Sequence, residues 1–308
     1  MEKSSVAVSR LQEKLNRGDF VVTGELGPPA GTDVSIVEEK ARHLAGAVDA
    51  VNITDNQTAI VRMSSIATGK ILLDMGIEPI IQMTARDRNR IAIQSDILGA
   101  VALGLRNMLF VSGDHQSFGN QVYSRGVYDI DSMQMLKAAR RMRDEKKLLH
   151  SDAEMKGDVP VFIGAAANPF APPHDFRPLR LKKKAEAGAD FIQTQCIYDI
   201  EIFKAYMEQV VDLGLHEKLH ILAGLMPLKS APMARYMSEK VPGVVVPDAL
   251  VKRISGVEKK RAADEGIEII RELAEQVKEV KGVAGIHLMA VEWEHRVPEI
   301  IEKAGLRL

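Results

Sequence analysis

Along the chain, short apolar runs rich in β-branched residues alternate with longer stretches whose apolar positions recur every three to four residues. The short runs are Phe20–Glu25, Ala50–Thr54, Pro79–Thr84, Asn107–Ser112, Val159–Ala166, Phe191–Cys196, His220–Leu225 and Ile286–Val291. They are mostly continuous rather than alternating, as expected of parallel strands covered by helices. Helical periodicity follows at Val34–Ala45, Ser64–Asp74, Arg90–Leu103, Ser132–Arg143, Pro178–Ala187, Ile200–Leu213 and Ala231–Ser238. A longer helix is predicted over Glu258–Val280, before the last run, and Pro298–Ala304 supplies a closing one. Gly46, Gly76, Gly104, Gly188 and Gly214 stand where these patterns stop, the usual position of a residue that ends a helix in left-handed conformation.

Eight strand–helix units predict an α/β protein, a single-domain (β/α)8 TIM barrel covering residues 1–308. Val6, Leu11 and Leu15 lie at roughly helical spacing, so a helix over residues 4–17 is expected to cap the barrel floor. The rival architecture is a doubly wound open sheet. Neither G-x-G-x-x-G nor G-x-x-x-x-G-K-[ST] occurs, which lowers that rival.

Composition narrows the function classes. The 308 residues are 46% hydrophobic and 27% charged, a globular balance. With 41 Lys+Arg against 42 Asp+Glu the net charge is −1, which argues against nucleic acid as the main partner. The charge-dense stretch Lys137–Asp158 mixes both signs and reads as a solvated helix face. One cysteine, Cys196, excludes an intrachain disulfide and a Cys-based zinc site and fits a reducing compartment. No signal-peptide core and no membrane-length apolar run is present, so a cytoplasmic location is expected. His216 and His220 are four apart, but Gly214 breaks the helix before them, and no metal site is expected. Ser64-Ser65 lacks the setting of an activated nucleophile.

In a (β/α)8 barrel the chemistry gathers at the C-terminal strand ends. Those ends carry Glu25; Thr54, Asp55 and Gln57; Gln82 and Thr84; Ser112-Gly113-Asp114; Asn168; Gln195; Met226-Pro227; and, near the last, Glu292. Each has a plain structural reading: Glu25 in a salt bridge, Asp114 as a turn cap, Gln195 as a satisfied buried amide, Cys196 as core. Their convergence on one mouth is instead the profile of a small-molecule site.

The same residues carry a family likeness. Glu25-Leu-Gly-Pro-Pro29, Thr54, Ser112-Gly113-Asp114, Lys184-Ala-Glu-Ala-Gly-Ala through Thr194-Gln195, and Gly224-Leu-Met-Pro227 resemble, in order, the motifs of the methylenetetrahydrofolate reductases. The likeness spans essentially the whole chain and is nearest the short bacterial form of acetogenic or one-carbon anaerobes. It implies a flavoprotein, carrying FAD or FMN, that reduces 5,10-methylenetetrahydrofolate to 5-methyltetrahydrofolate. Such a reaction belongs to one-carbon metabolism, methionine biosynthesis or acetogenesis. By the same likeness Glu25 is the acid that opens the imidazolidine ring, a task for a carboxyl able to hold a proton near neutrality. Asp114 faces pterin and flavin, and Gln195 hydrogen-bonds the folate. Flavin contacts are implied for Thr54, Asp55, Gln57, Gln82, Ser112, Gly113, Asp114, Tyr128, Asp129, Asn168, His174 and Lys184, with Lys183 a further candidate for the phosphate.

Three positions depart from the family pattern. Gln82 stands where many members have His, Met237 where an aromatic packs near nicotinamide, and Glu292 where an Arg meets substrate. The electron source is therefore either NAD(P)H or an electron-delivering protein, with a zinc-containing partner subunit and an oligomer as further expectations. The alternatives are a pterin-binding methyltransferase barrel without a redox cofactor and a non-catalytic barrel subunit. The central expectation is that Glu25, Asp114 and Gln195 share one cavity beside an isoalloxazine.

Overall fold

Eight parallel strands hydrogen-bond in sequence order and close, β8 against β1, into a barrel. The computed structural model describes residues 6–241 and 243–306. The strands are β1 (Val21–Leu26), β2 (Ala50–Ile53), β3 (Pro79–Thr84), β4 (Asn107–Val111), β5 (Phe162–Ala167), β6 (Phe191–Cys196), β7 (His220–Leu225) and β8 (Val283–Leu288). The helices are α1 (Arg10–Arg17), α2 (Val34–Leu44), α3 (Ser65–Asp74), α4 (Arg90–Ala102), α5 (Ser132–Glu145), α6 (Phe176–Ala187), α7 (Ile200–Asp212), α8 (Ala231–Lys240), α9 (Asp248–Ser255), α10 (Ala262–Lys278) and α11 (Val297–Lys303).

Of the helix expected over residues 4–17, residues 4 and 5 lie outside the described residues. Arg10–Arg17 is helical, with the Ser9 hydroxyl accepting from the Gln12 amide and Gly18 turning left-handed at φ 85° to end it. Leu11 and Leu15 are buried against Val21, Ala50, Ile80, Leu109, Phe162, Phe191 and Leu222, which form an apolar floor inside the barrel.

The last strand begins three residues earlier than its apolar run suggests. Gly285 reads as a break in the sequence. In the barrel it pairs with Val21, where a Cβ would lie 2.2 Å from the Val21 carbonyl oxygen, so the glycine permits the closure of β8 on β1. The predicted helix 258–280 starts at Ala262, and α9 before it was not anticipated.

One strand step up from the floor, the inward side chains are polar. Thr23, Asn52, Gln193 and His287 are all buried there, and Glu25 stands one inward position above Thr23 on β1. A register shift between Gln193 and Cys196 on β6 sets two residues against one on β7. That bulge turns Gln195 toward the mouth, a common use of the device beside binding sites. Gly224 is required opposite it, because a Cβ would lie 2.2 Å from the Thr194 carbonyl oxygen.

Candidate functional site

The mouth opens into a cavity of about 590 Å³, within the size range of small-molecule sites. Glu25 and His287 line one side; Gln193, Thr194 and the bulge-turned Gln195 form the base; Gln82 and Ser112 come from β3 and the end of β4. The remaining wall is helix α6, which contributes Arg177, Arg180 and Lys184. These fall at i, i+3 and i+7, hence on one face of the helix.

The three cations have no carboxylate partner among the described residues. Arg177 donates to the carbonyls of Ala171 and Pro172, and Lys184 to that of Ala166. Burial, reinforced by the Arg180 charge, lowers Lys184 from its ordinary range to about 8. Three cations on one wall, without a carboxylate in contact, give that side of the cavity a positive potential suited to an anion. The sequence signal was there, a cationic stripe on one helix face, but the predicted helix began at Pro178 and left Arg177 out.

The opposite rim is as rich in charge but saturated. Asp55 is buried; its carboxylate accepts from the Thr84 amide at 2.9 Å, the Thr84 hydroxyl at 3.0 Å and Arg88 at 2.5 and 3.3 Å. Asp129 accepts from the Arg90 amide at 2.9 Å and from its guanidinium at 2.8 and 2.9 Å. The Arg90 side chain and amide hold Asp129 down at about 2. Asp114 is exposed, and its carboxylate accepts from the Thr58 amide at 2.9 Å.

Of the residues the family likeness singled out, six therefore meet on one cavity: Glu25, Gln82, Ser112, Asn168, Lys184 and Gln195. The others do not line it. Asp114 ties the β4 end to a turn in which Asn56, Thr58 and Ala59 take φ of 46°, 54° and 57°, and Gln57 lies in that turn. The trio of Glu25, Asp114 and Gln195 is thus divided: the first and last face the cavity, and Asp114 braces a loop. Gly113 is packed against Thr84 and Arg86, Tyr128 caps the β3 end through its amide to Ala85, and His174 is exposed on the loop before α6. Lys183 sits over the Phe176 ring, 5.7 Å from its centroid. Met237 is buried, and Glu292 pairs with Lys40 at 3.0 Å. Among the described residues no cluster of side chains could hold a metal ion, and no helix is long and apolar enough to cross a membrane.

Two features bear on whether a flavin suits this mouth. The Thr54 hydroxyl is buried without a hydrogen-bond partner among the described residues, but Thr54 does not line the cavity. The cations of α6 lack a counter-charge of the kind a flavin phosphate carries. The second feature fits the group.

Fold and site together define a (β/α)8 barrel whose mouth sets the cations of α6 beside a buried carboxyl and an amide. The chain belongs to the methylenetetrahydrofolate reductase family, which it matches over residues 10–305. It is 26% identical over 262 residues to a probable methylenetetrahydrofolate reductase (NADPH) of Caenorhabditis elegans, covering 82% of this chain and 36% of that protein. It is 25% identical over 242 residues to methylenetetrahydrofolate reductase 1 of Schizosaccharomyces pombe, covering 77% and 37%. The chain thus spans little more than a third of these relatives' length. A Clostridium thermocellum protein, described as binding two copies of 5-methyl-5,6,7,8-tetrahydrofolic acid, shares the fold at a TM-score of 0.64 and 18% identity, covering 97% of this chain and 99% of its own.

Proposed function

We propose that the chain is a flavin-dependent reductase of 5,10-methylenetetrahydrofolate, yielding 5-methyltetrahydrofolate. The observation that carries this reading is the cavity that joins Glu25 and Gln195 to the unpaired cations of α6. Membership of the family supplies the reaction class, and the methyltetrahydrofolate bound by the Clostridium thermocellum barrel supports a folate as ligand.

In this reading Lys184, Arg177 and Arg180 hold the flavin phosphate, and Gln82, Ser112 and Asn168 lie toward its polar edges. A bound flavin supplies two-electron transfer to the folate methylene carbon. Gln195 offers its Nε2 donors to the pterin edge, while its Oε1 accepts from the Cys196 amide and thiol. Glu25, buried at the cavity wall, donates a proton to the ring nitrogen whose bond to the methylene carbon breaks. Electrons come from NAD(P)H or from an electron-delivering partner. The burial of Met237 and the pairing of Glu292 with Lys40 favour the partner.

The test is anaerobic. Protein loaded with FAD or FMN is reduced with dithionite, and methylenetetrahydrofolate is added. Reoxidation of the flavin with formation of 5-methyltetrahydrofolate supports the reading. Failure to retain any flavin, or a reduced flavin indifferent to the folate, overturns it. Bleaching by NADH alone would remove the need for an electron-delivering partner.

A further inference from the structure

The polar layer beneath Glu25 forms a continuous hydrogen-bonded chain across the barrel interior. Asn52 and Gln193 clasp each other, Asn52 Nδ2 donating to Gln193 Oε1 at 2.5 Å and Gln193 Nε2 returning to Asn52 Oδ1 at 2.9 Å. The second proton of Gln193 Nε2 goes to the Thr23 hydroxyl at 3.2 Å. The Thr23 oxygen accepts from Gln193, and its single proton has the nearer acceptor in His287 Nδ1, at 3.0 Å against 3.5 Å to the Ile286 carbonyl. Donation to Nδ1 makes the neutral imidazole the Nε2–H tautomer. Nε2 faces Glu25 Oε2 at 3.7 Å, just beyond hydrogen-bond length.

We infer that His287 is a positioning residue for Glu25. Its Nε2–H, aimed by Thr23 and Gln193, receives the carboxylate that remains after Glu25 has passed its proton to the folate nitrogen. This deepens the proposed reaction and rests on it. The step balances: the O–H bond of Glu25 breaks, an N–H bond forms on the folate as its C–N bond opens, and the new carboxylate is held by an N–H that His287 already carries. The surroundings leave this role to His287. On β6 the Cys196 thiol, within electrostatic range of Glu25, is pushed up to about 12 by burial and stays neutral. Tyr206 of α7 is likewise raised by burial. Asn52 and Gln82 from β2 and β3 are uncharged, and the cations Arg177, Arg180 and Lys184 belong to α6 on the cavity wall.

The chain is tested in two ways. In protein labelled with 15N-histidine, the resonance lost in His287→Gln identifies His287, and its ring shifts are expected to report the Nε2–H tautomer. An Nδ1–H tautomer would overturn the inference without any assay of turnover. In flavin-loaded, prereduced protein, His287→Leu is expected to slow folate-dependent reoxidation roughly 10- to 100-fold, the scale of a hydrogen bond to a charged group. The alkaline limb of the pH profile should move upward, because a carboxylate without its donor keeps its proton longer. His287→Gln, which retains an N–H near the Nε2 position, should restore the limb, and in Glu25→Gln protein His287→Leu should have no further effect. An unchanged profile, or losses that simply multiply with Glu25→Gln, would overturn the role. If wild-type reduced protein ignores the folate, the proposed reaction has failed instead, and the tautomer result still stands by itself.

Discussion

The two sides of the barrel mouth carry similar charge in opposite states. Toward β2, β3 and β4 each charge is answered within the fold: Asp55 by Arg88, Asp129 by Arg90, and Arg86 by Asp87 at 2.6 Å. On the α6 side, Arg177, Arg180 and Lys184 face the cavity, and the acceptors of Arg177 and Lys184 are backbone carbonyls. Paired charges fix loops. Unpaired cations on a cavity wall carry a desolvation cost that only a ligand offsets. From sequence the two sides look equally functional, and pairing is what separates them.

The largest effect expected from breaking this contrast is on the saturated side. Asp55→Ala leaves the buried Arg88 with Asp96 alone, at 2.7 Å, and the Thr84 amide without its acceptor. Losing one member of a buried pair costs about 3–5 kcal/mol, and with Asp96 still in place chemical denaturation should show a loss toward the lower end, about 3 kcal/mol. A stability near wild type, with flavin affinity alone reduced, would return Asp55 to the cofactor.

Lys184→Met is expected to act in the opposite direction. The folded-state value of Lys184, about 8, lies below the 10.5 of the free side chain. Between those two values the unfolded chain binds a proton that the folded chain does not, so stability rises with pH across that window. The cost of the buried charge is full below about pH 8. Removing it should stabilise the protein at pH 7 by roughly 1–3 kcal/mol, with the gain fading toward pH 10.5. The same variant should bind phosphorylated flavin more weakly, and wild-type affinity should begin to fall above pH 8. A variant that gained no stability at pH 7 would place Lys184 with the satisfied groups.

Arg180→Gln probes the open side more gently, because Arg180 is exposed at the cavity edge. Loss of one charge-assisted contact should weaken FMN roughly tenfold while leaving riboflavin unchanged, as read by quenching of flavin fluorescence. Equal losses for the two flavins would move the phosphate elsewhere.

The barrel itself was legible because its signals are local. Continuous apolar runs and helix-ending glycines depend on neighbours in sequence, and β3, β6 and β7 fall at their expected bounds. β8 was misplaced because Gly285 marks contact with a strand more than 250 residues away, and nothing adjacent to it says so. The candidate site was legible where strand-end position alone decides orientation, as for Glu25 and Gln82, whereas Gln195 reaches the mouth through the β6 bulge. It was not legible where a partner elsewhere in the chain claims the side chain. Asp114 and Asp129 occupy motif-like positions, yet the Thr58 amide and Arg90 hold their carboxylates. His287 was passed over for the converse reason: its meaning comes from Thr23 and Gln193, on two other strands.

Asp129→Asn gives the smallest expected effect and the finest division between the two sides. The Arg90 side chain and amide hold Asp129 at about 2, below the 3.8 of a free aspartate. Its contribution to stability is therefore present above about pH 4 and lost as pH falls toward 2. The variant should be slightly less stable than wild type at neutral pH, with the difference closing on acidification, in thermal melts followed from pH 7 to 2. Because Arg90 and Asp129 are both partly exposed, solvent screens the pair and the neutral-pH difference stays small. Flavin affinity should not change, since the carboxylate is occupied by Arg90 and does not line the cavity. A variant with wild-type acid stability but weakened flavin would show that Asp129 leaves Arg90 for the cofactor, and the saturated side would then be open as well.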